Sequence, residues 1–374
     1  MEKDERESAP QRLLSLDALR GFDMIFILGF AGVVSGLASW VFGGDGGWLA
    51  EQMRHAEWVG FRHHDTIFPL FIFLAGVSYP FSCAASRAKG LSTSAIVWKA
   101  TRRMFALVLL GLVYNGILSF DFANQRWPSV LARIGIAWYG AAMLHLFVRS
   151  FKARAVIAVL LLVGYWALCF FLVAPDAPDG TGPFSDAGCF VGYVDRLLLP
   201  GKFAGRYFDA EGIMSVISAV PLAMAGMFAG ELVRTNSASG GRNALILAGA
   251  AAAFAVATFA WMPWCPVIKR MWTPTFITAS VAYSCAMFAL FYWVVDVRRW
   301  RWWVFPFQIV GMNAIAAYMF RRIVPVEPIA KFIFGGLVSF APDAGAKMLN
   351  AAASLAVIWL FLWFLHRKSI FLKV

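Results

Sequence analysis

Long apolar runs broken by short polar segments set the pattern of this chain. They fall at about 15–40, 66–86, 103–119, 130–148, 154–174, 212–232, 243–262, 273–295, 303–320 and 348–366. A hydrocarbon core of about 30 Å takes about 20 apolar residues per helix. The pattern therefore predicts an all-α, polytopic integral membrane protein with about ten transmembrane helices. The third run is short, and the ninth is interrupted by Pro306 and Gly311. No Gly/Ser- or Pro-rich linker divides the chain, so it reads as a single transmembrane domain over 1–374. A polar tail covers 1–14 and a large loop covers 175–211. The polar head Glu2–Arg12 leads into the first run, which is expected to stay as a membrane helix and not to be cleaved as a leader.

The large loop opens Pro- and Asp-rich (Pro175 to Gly180) and continues through Gly192-Tyr193-Val194-Asp195-Arg196-Leu197-Leu198-Leu199. That stretch predicts a short amphipathic helix at the surface. The loop ends in Tyr207-Phe208-Asp209-Ala210-Glu211-Gly212, whose carboxylates suit the start of the sixth span.

Composition agrees with this reading. Hydrophobic residues make up 60% and charged residues 14%, against about 25% charged in soluble domains. The lipid bilayer is thus the first partner. The net charge of +12 has a sidedness. Alternating the spans collects Arg87, Lys89, Lys99, Arg102 and Arg103, Arg149, Lys152 and Arg154, Arg298, Arg299 and Arg301, and Arg367 and Lys368 on one side. By the positive-inside rule that side is cytoplasmic, with both termini on it. The large loop is then periplasmic and the protein belongs in an inner membrane. Nucleic-acid binding would need a basic patch with groove-reading or aromatic elements, and none stands out. Cys83, Cys169 and Cys285 fall in spans as packing residues. Cys189 and Cys265 fall in outer loops, where an oxidising compartment can pair them.

Ionisable groups beside hydrocarbon are costly and point to function. His55 lies just before the second span, and its imidazole can take a proton near neutral pH. Asp65 stands ten residues on, at the lip of that span. It reads either as a helix cap or as the carboxylate that fixes the ring's tautomer. His63 and His64 invite a metal reading, but adjacent histidines point apart and no second ligand set completes a site, so no metal is expected. Asp17, Arg20 and Asp23 share a helix face at three-residue spacing. They read as an intrahelical ion network or as donors to an anionic cofactor's phosphates, with Arg20 in front. Arg133, Asn115 and Asn313 are the other candidates for buried polar roles. Gly311-Met312-Asn313 reads as close helix packing with an interhelical hydrogen bond.

Together these motifs resemble the heparan-α-glucosaminide N-acetyltransferase family, which has many bacterial relatives. The resemblance starts with Ser15-Leu16-Asp17, Leu19-Arg20-Gly21, His55-Ala56 with Trp58 and Gly60, and Asp65 with Phe68-Pro69 and Phe71. It continues through Arg133-Ile134-Gly135, Gly192-Tyr193 with Asp195 to Leu199, Phe208-Asp209 with Glu211-Gly212, Trp272-Thr273 and Val295-Asp296-Val297. Gly311-Met312-Asn313 and the tail Arg367-Lys368 with Ile370-Phe371 complete it, nearly the whole chain in order.

The resemblance implies a membrane acyltransferase that carries an acetyl group from cytoplasmic acetyl-CoA to the amine of an amino sugar across the membrane. His55 takes the catalytic histidine's position and Asp65 its companion carboxylate's. It leads us to expect Asp17, Arg20, Arg133 and Asn313 on the acetyl-CoA side, and Trp58, Asp209 and Glu211 on the amino-sugar side. Two positions depart from the lysosomal pattern: Ala31 where that pattern has an Asn, and Arg321-Arg322 where it has a His-Glu pair. Two rival readings stay open, a transporter of a sugar or lipid-linked sugar and a member that binds acceptor without transfer. The oligomeric state is also open, with a homodimer among the readings.

Overall fold

The computed structural model describes residues 13–372, so the polar head Glu2–Arg12 lies outside the described residues. The helices are α1 (Leu14–Ile25), α2 (Ala31–Phe42), α3 (Gly47–Gln52), α4 (Ile67–Ala88), α5 (Thr93–Tyr114), α6 (Val130–Phe147), α7 (Phe151–Phe171), α8 (Phe190–Leu198), α9 (Met214–Thr235), α10 (Gly240–Trp261), α11 (Pro274–Phe291), α12 (Phe305–Met312), α13 (Ala314–Ile323), α14 (Val326–Val338) and α15 (Asp343–Arg367). The described residues form no strand, only isolated bridges. Bulky apolar side chains such as Leu160, Phe259 and Phe332 face outward, which makes sense only in lipid. This is a multi-pass membrane protein.

Among the described residues, eight helical stretches are long and apolar enough to cross a membrane. They account for eight of the ten expected spans. The third expected span is α5, which begins ten residues earlier than its apolar run. Ser92 caps it by accepting the N–H of Ala95, and its first half carries Lys99, Arg102 and Arg103. At 22 residues it is about 33 Å long, so its length suffices while its charge sets it apart. The ninth expected span is two helices, α12 and α13. Asn313 breaks them with non-helical φ −125° and ψ 33°, and its side chain ties the break to the C-terminal segment.

The first span bends. A π-helical turn, Phe26–Phe30, joins α1 to α2, and Gly29 there holds φ 138°, a conformation that favours glycine. The spans alternate in direction, so the loops gather at two ends. At the end where α1 starts, Ser15 donates to Asp296 and Arg154 chelates Glu231 at 2.8 and 3.0 Å. The opposite, distal end is capped by the loops 43–66, 115–129, 172–213 and 262–273. Bridges Val59–Ile268 and Arg126–Gly201 and the Trp58 Nε1–H bond to Phe184 O at 2.7 Å tie the cap together. α8 lies in it where the amphipathic pattern put a helix, with Val191 buried and Leu197 exposed.

The core is built on close helix crossings. A Cβ on Gly226 of α9 would sit 2.0 Å from Phe73 O of α4, and one on Gly76 would sit 2.2 Å from Ala223 O. Backbone meets backbone there, as small residues permit between membrane helices. The five cysteines are buried free thiols. Cys189 and Cys265 are therefore unpaired, contrary to the pairing their loops suggested. Cys189 donates to Asp186 O, and Cys265 takes the Thr275 hydroxyl.

Candidate active site

His55 follows α3 in the first distal loop, and Asp65 ends the turn that leads into α4. Chain reversal between them brings His55 Nδ1 to 2.8 Å from Asp65 Oδ1. Asp65 is fully buried, and its other oxygen accepts the N–H groups of Ala56 and Arg62, both at 3.2 Å. Neither N–H belongs to α4, whose N-cap is Thr66 with no side-chain cap, so Asp65 holds the loop and the imidazole and does not cap the span as its position suggested. Burial alone would raise the Asp65 carboxyl, but the His55 hydrogen bond, the Lys269 charge and the Ala56 N–H hold it below its ordinary value. An ionised Asp65 keeps the ring proton on Nδ1 and leaves Nε2 as the basic atom. The ring is half-exposed.

Lys269 completes the cluster and was not among the residues the sequence singled out. Its Nζ lies 2.9 Å from His55 Nδ1 and 3.2 Å from Asp65 Oδ1. Burial pushes its ammonium down while Asp65 opposes the shift. With Nδ1 committed to Asp65, the Lys269 donor is satisfied by that carboxylate. The available signal was its place in Lys269-Arg270, a cationic pair on the side that the charge bias leaves poor in cations. His64 packs on the His55 ring at 4.5 Å. Burial, with the charges of His55 and Lys269, pushes it down to about 4, so it stands neutral beside its neighbour. His63 turns the other way, to the Tyr283 hydroxyl at 3.2 Å.

Three cavities adjoin at Phe68, and two of them reach His55. The first, about 340 Å³, is lined by Asp17, Arg20, Ser78 and Arg103 toward the α1 end and by Phe68, Val130 and Ile134 toward the distal end. The second, about 170 Å³, shares Phe68, Val130 and Ile134 and holds His55, Arg133, Glu211 and Lys269. The third, about 790 Å³, opens beside α13–α15 and also reaches His55 and Phe68. From Asp17 to Ile27 the first cavity follows the first span for about 15 Å, half of a bilayer core.

The other expected residues divide. Asp17 and Arg20 pair at 3.3 Å and Arg20 reaches Ser78 at 3.2 Å, so both the network and the cavity lining are real. Asp23 is buried and does not line these cavities. Arg133 sits at the distal end with His55, bonded to Ala210 O and Ser215 and 4.3 Å over the Trp272 ring. Asn313 lines none of these three cavities. Its amide donates to Ile370 O at 3.0 Å and accepts Leu372 N–H at 3.1 Å, which anchors the tail. Asn115 likewise closes a loop through Arg126 O and Pro128 O. Trp58 is spent on Phe184 and on the Phe208 ring. Asp209 is chelated by Arg126 at 2.7 and 2.6 Å, a cap fastening. Glu211 pairs with the same arginine and still faces the second cavity. Sequence reasoning missed Arg126, the cation that holds both carboxylates, and Arg103, whose Nε is buried without a partner.

No family model matches the chain. Two curated proteins resemble it over nearly its full length. One, from Mus musculus, is 24% identical over 99% of this chain and 61% of its own length. The other, from Homo sapiens, is 25% identical over 98% of this chain and 60% of its own length. Both are named heparan-alpha-glucosaminide N-acetyltransferase. The chain is similar to these heparan-alpha-glucosaminide N-acetyltransferases. It spans about three fifths of the length of these relatives, and the similarity runs through every helix described above. The family resemblance read from the motifs and the similarity of the whole chain agree.

Proposed function

We propose that this protein is a transmembrane N-acetyltransferase, taking acetyl-CoA from the α1 side and acetylating the amine of an amino sugar on the distal side. The basic flanks of α5, α7 and α11 support a cytoplasmic α1 side. The observation that carries the reading is the 2.8 Å His55–Asp65 bond, with His55 lining the second and third cavities and Phe68 joining them to the first. An amine attacks a thioester only when neutral. Nε2 of His55 removes its proton as the N–C bond forms and the C–S bond breaks, and the proton then leaves with the CoA thiolate. If Nε2 instead receives the acetyl group first, it needs the same Nδ1–H bond to Asp65, so both routes use one geometry.

Arg20 and Arg103 supply charge for the phosphates of acetyl-CoA at the α1 end, and the apolar walls between them and Phe68 suit its uncharged arm. Glu211 supplies a carboxylate for the acceptor's ammonium in the second cavity. Arg133 and Asn313, expected on the acetyl-CoA side, serve better as a distal wall and a tail anchor. The test is acetyl transfer to glucosamine by protein in nanodiscs. His55→Ala should keep the thermal transition and its rise with acetyl-CoA, yet lose transfer by at least about 100-fold. Wild-type turnover by folded His55→Ala would reject the assignment. A transporter would show no thermal response to acetyl-CoA.

A further inference from the structure

The third cavity has a different character from the path between Arg20 and His55. It is the largest of the three at about 790 Å³, and it lies to the side of the bundle. One wall is the bend of the first span, where Gly29 of the π-turn and Gly32 of α2 line the cavity and come close to Ala351 of α15. The other is α15, through Asn350, Ser354 and Ile358 on a single face. Ile323, Val324 and Val326 add an apolar edge. At the rim stand Arg321 and Arg322, both exposed. Arg322 donates Nε–H to Tyr114 O at 3.0 Å, and neither guanidinium has a carboxylate partner among the described residues. Glu327 is the one acidic liner against this pair. α14, next to the opening, exposes Phe332 at 92% and is followed by Phe340 at 89%, an apolar surface that suits contact with lipid.

We infer that this cavity admits the acceptor from the membrane. The acceptor is a lipid-linked amino sugar, its phosphate on Arg321 and Arg322, its apolar tail along the π-turn and α15, and its sugar at His55. Three observations fit that occupant together. Two guanidinium groups against the single carboxylate of Glu327 leave an excess positive charge that calls for an anion. The apolar part of the lining, Phe26, Ile27, Leu28, Val324 and Ile358, calls for a tail that a soluble glycan lacks. The far end of the cavity is the candidate base itself. A phosphodiester between sugar and tail satisfies the first two and delivers the amine to the third. The inference rests on the acetyltransferase reading for the chemistry, but the binding site stands on its own.

Binding and transfer are measured separately on the full-length protein in phosphatidylcholine nanodiscs. Native mass spectrometry follows three probes: farnesyl phosphoryl glucosamine, glucosamine 1-phosphate (head without tail) and farnesyl glucoside (tail without phosphate). The first should bind at least about tenfold more tightly than either of the others, the step that one good charge-assisted contact supplies. Arg321→Gln with Arg322→Gln should weaken the phosphoryl probe about tenfold and the glucoside much less. Ser354→Phe, which fills the groove, should weaken both farnesyl probes. Equal binding of glucosamine 1-phosphate, or indifference to Ser354→Phe, would overturn the inference. Acetylation of free glucosamine reports on the parent reading. Transfer without farnesyl-probe binding removes the lipid site alone, whereas farnesyl-probe binding without transfer to any amine removes the acetyltransferase and leaves the site.

Discussion

Asp65→Asn isolates the charge beside His55 at nearly constant shape. The carboxylate takes His55 Nδ1 at 2.8 Å, Lys269 at 3.2 Å, and the N–H groups of Ala56 and Arg62. An amide offers one acceptor oxygen where the carboxylate offers two. If that oxygen stays on the two backbone N–H groups, its NH₂ faces His55 Nδ1. Nδ1 must then accept, the ring proton moves to Nε2, and the base disappears. The same exchange in the Ser-His-Asp proteases costs about 10⁴ in kcat, close to 5.5 kcal/mol of barrier. The His55 ring is half-exposed, and water can stabilise the other tautomer, so a loss of about 10³ is expected here. The assay is release of CoA thiol from acetyl-CoA with glucosamine as acceptor. KM for acetyl-CoA should move by no more than about twofold, because the lost interaction belongs to the reacting step. Breaking a buried ion pair also costs about 3–5 kcal/mol. Monodisperse elution and a thermal transition above the assay temperature must accompany the rate. A folded Asp65→Asn protein within about tenfold of wild-type kcat would refute the tautomer argument.

Arg103→Met should raise KM for acetyl-CoA about tenfold while leaving kcat at saturation within about twofold, since one charge-assisted contact to a phosphate is worth about 1.5–3 kcal/mol; an unchanged KM removes Arg103 from the donor end. Acid should destabilise the cap. Asp65 and Asp209 are both held below the ordinary carboxylate value, Asp209 because Arg126 outweighs its burial. Their folded values lie below their unfolded ones, so the stability they add is complete above about pH 5 and falls away as pH drops through about 4 and lower. Thermal midpoints measured from pH 7 to 3 should therefore decline below about pH 4, and Asp209→Asn should flatten that decline while lowering the midpoint at pH 7. A midpoint indifferent to pH over this range would contradict the assignment.

Much of this architecture was legible because lipid allows few solutions. Eight of the ten apolar runs became helices long enough to span, and the loops fell on the sides that alternation gave them. α5 was misplaced at its start because Lys99, Arg102 and Arg103 hid a helix whose beginning Ser92 marks. The break at Asn313 was legible as an interruption but not as two helices, since Pro306 sits at the start of α12 and does no breaking itself. The candidate site was half legible. His55 and Asp65 are ten residues apart, and a single turn closes that gap. Lys269 is 214 residues from His55, and only the folding of two distal loops onto each other brings them together. The polar residues most visible in the motifs, Trp58, Asp209 and Asn313, turned out to fasten loops and tail. A buried polar side chain must find a partner whatever its purpose, so polarity near a membrane edge marks assembly as readily as chemistry.

A transporter and a membrane acyltransferase ask different things of the helices under the cap. Alternating access needs one bundle to rock against another, whereas group transfer needs two ends of one path held still. The α4–α9 crossing bears on that choice. Cβ atoms at Gly76, Gly226 and Gly230 would meet backbone at 2.2, 2.0 and 2.3 Å, so no layer of side chains lies between the helices to slide or repack. Gly226→Ala would force the pair apart by about 1 Å or more to reach an ordinary contact, at about 1–3 kcal/mol for overpacking. That separation displaces Phe68 at the distal end of α4, the side chain common to all three cavities. The expected result is a midpoint lower by a few degrees with a fall in kcat out of proportion to it, because a small misplacement of reacting groups can cost about 100-fold. A Gly226→Ala protein that loses stability but keeps full transfer would mean that the crossing supports the fold without setting the geometry at His55. The rigid-frame argument would then fail, and motion between α4 and α9 would have to be admitted.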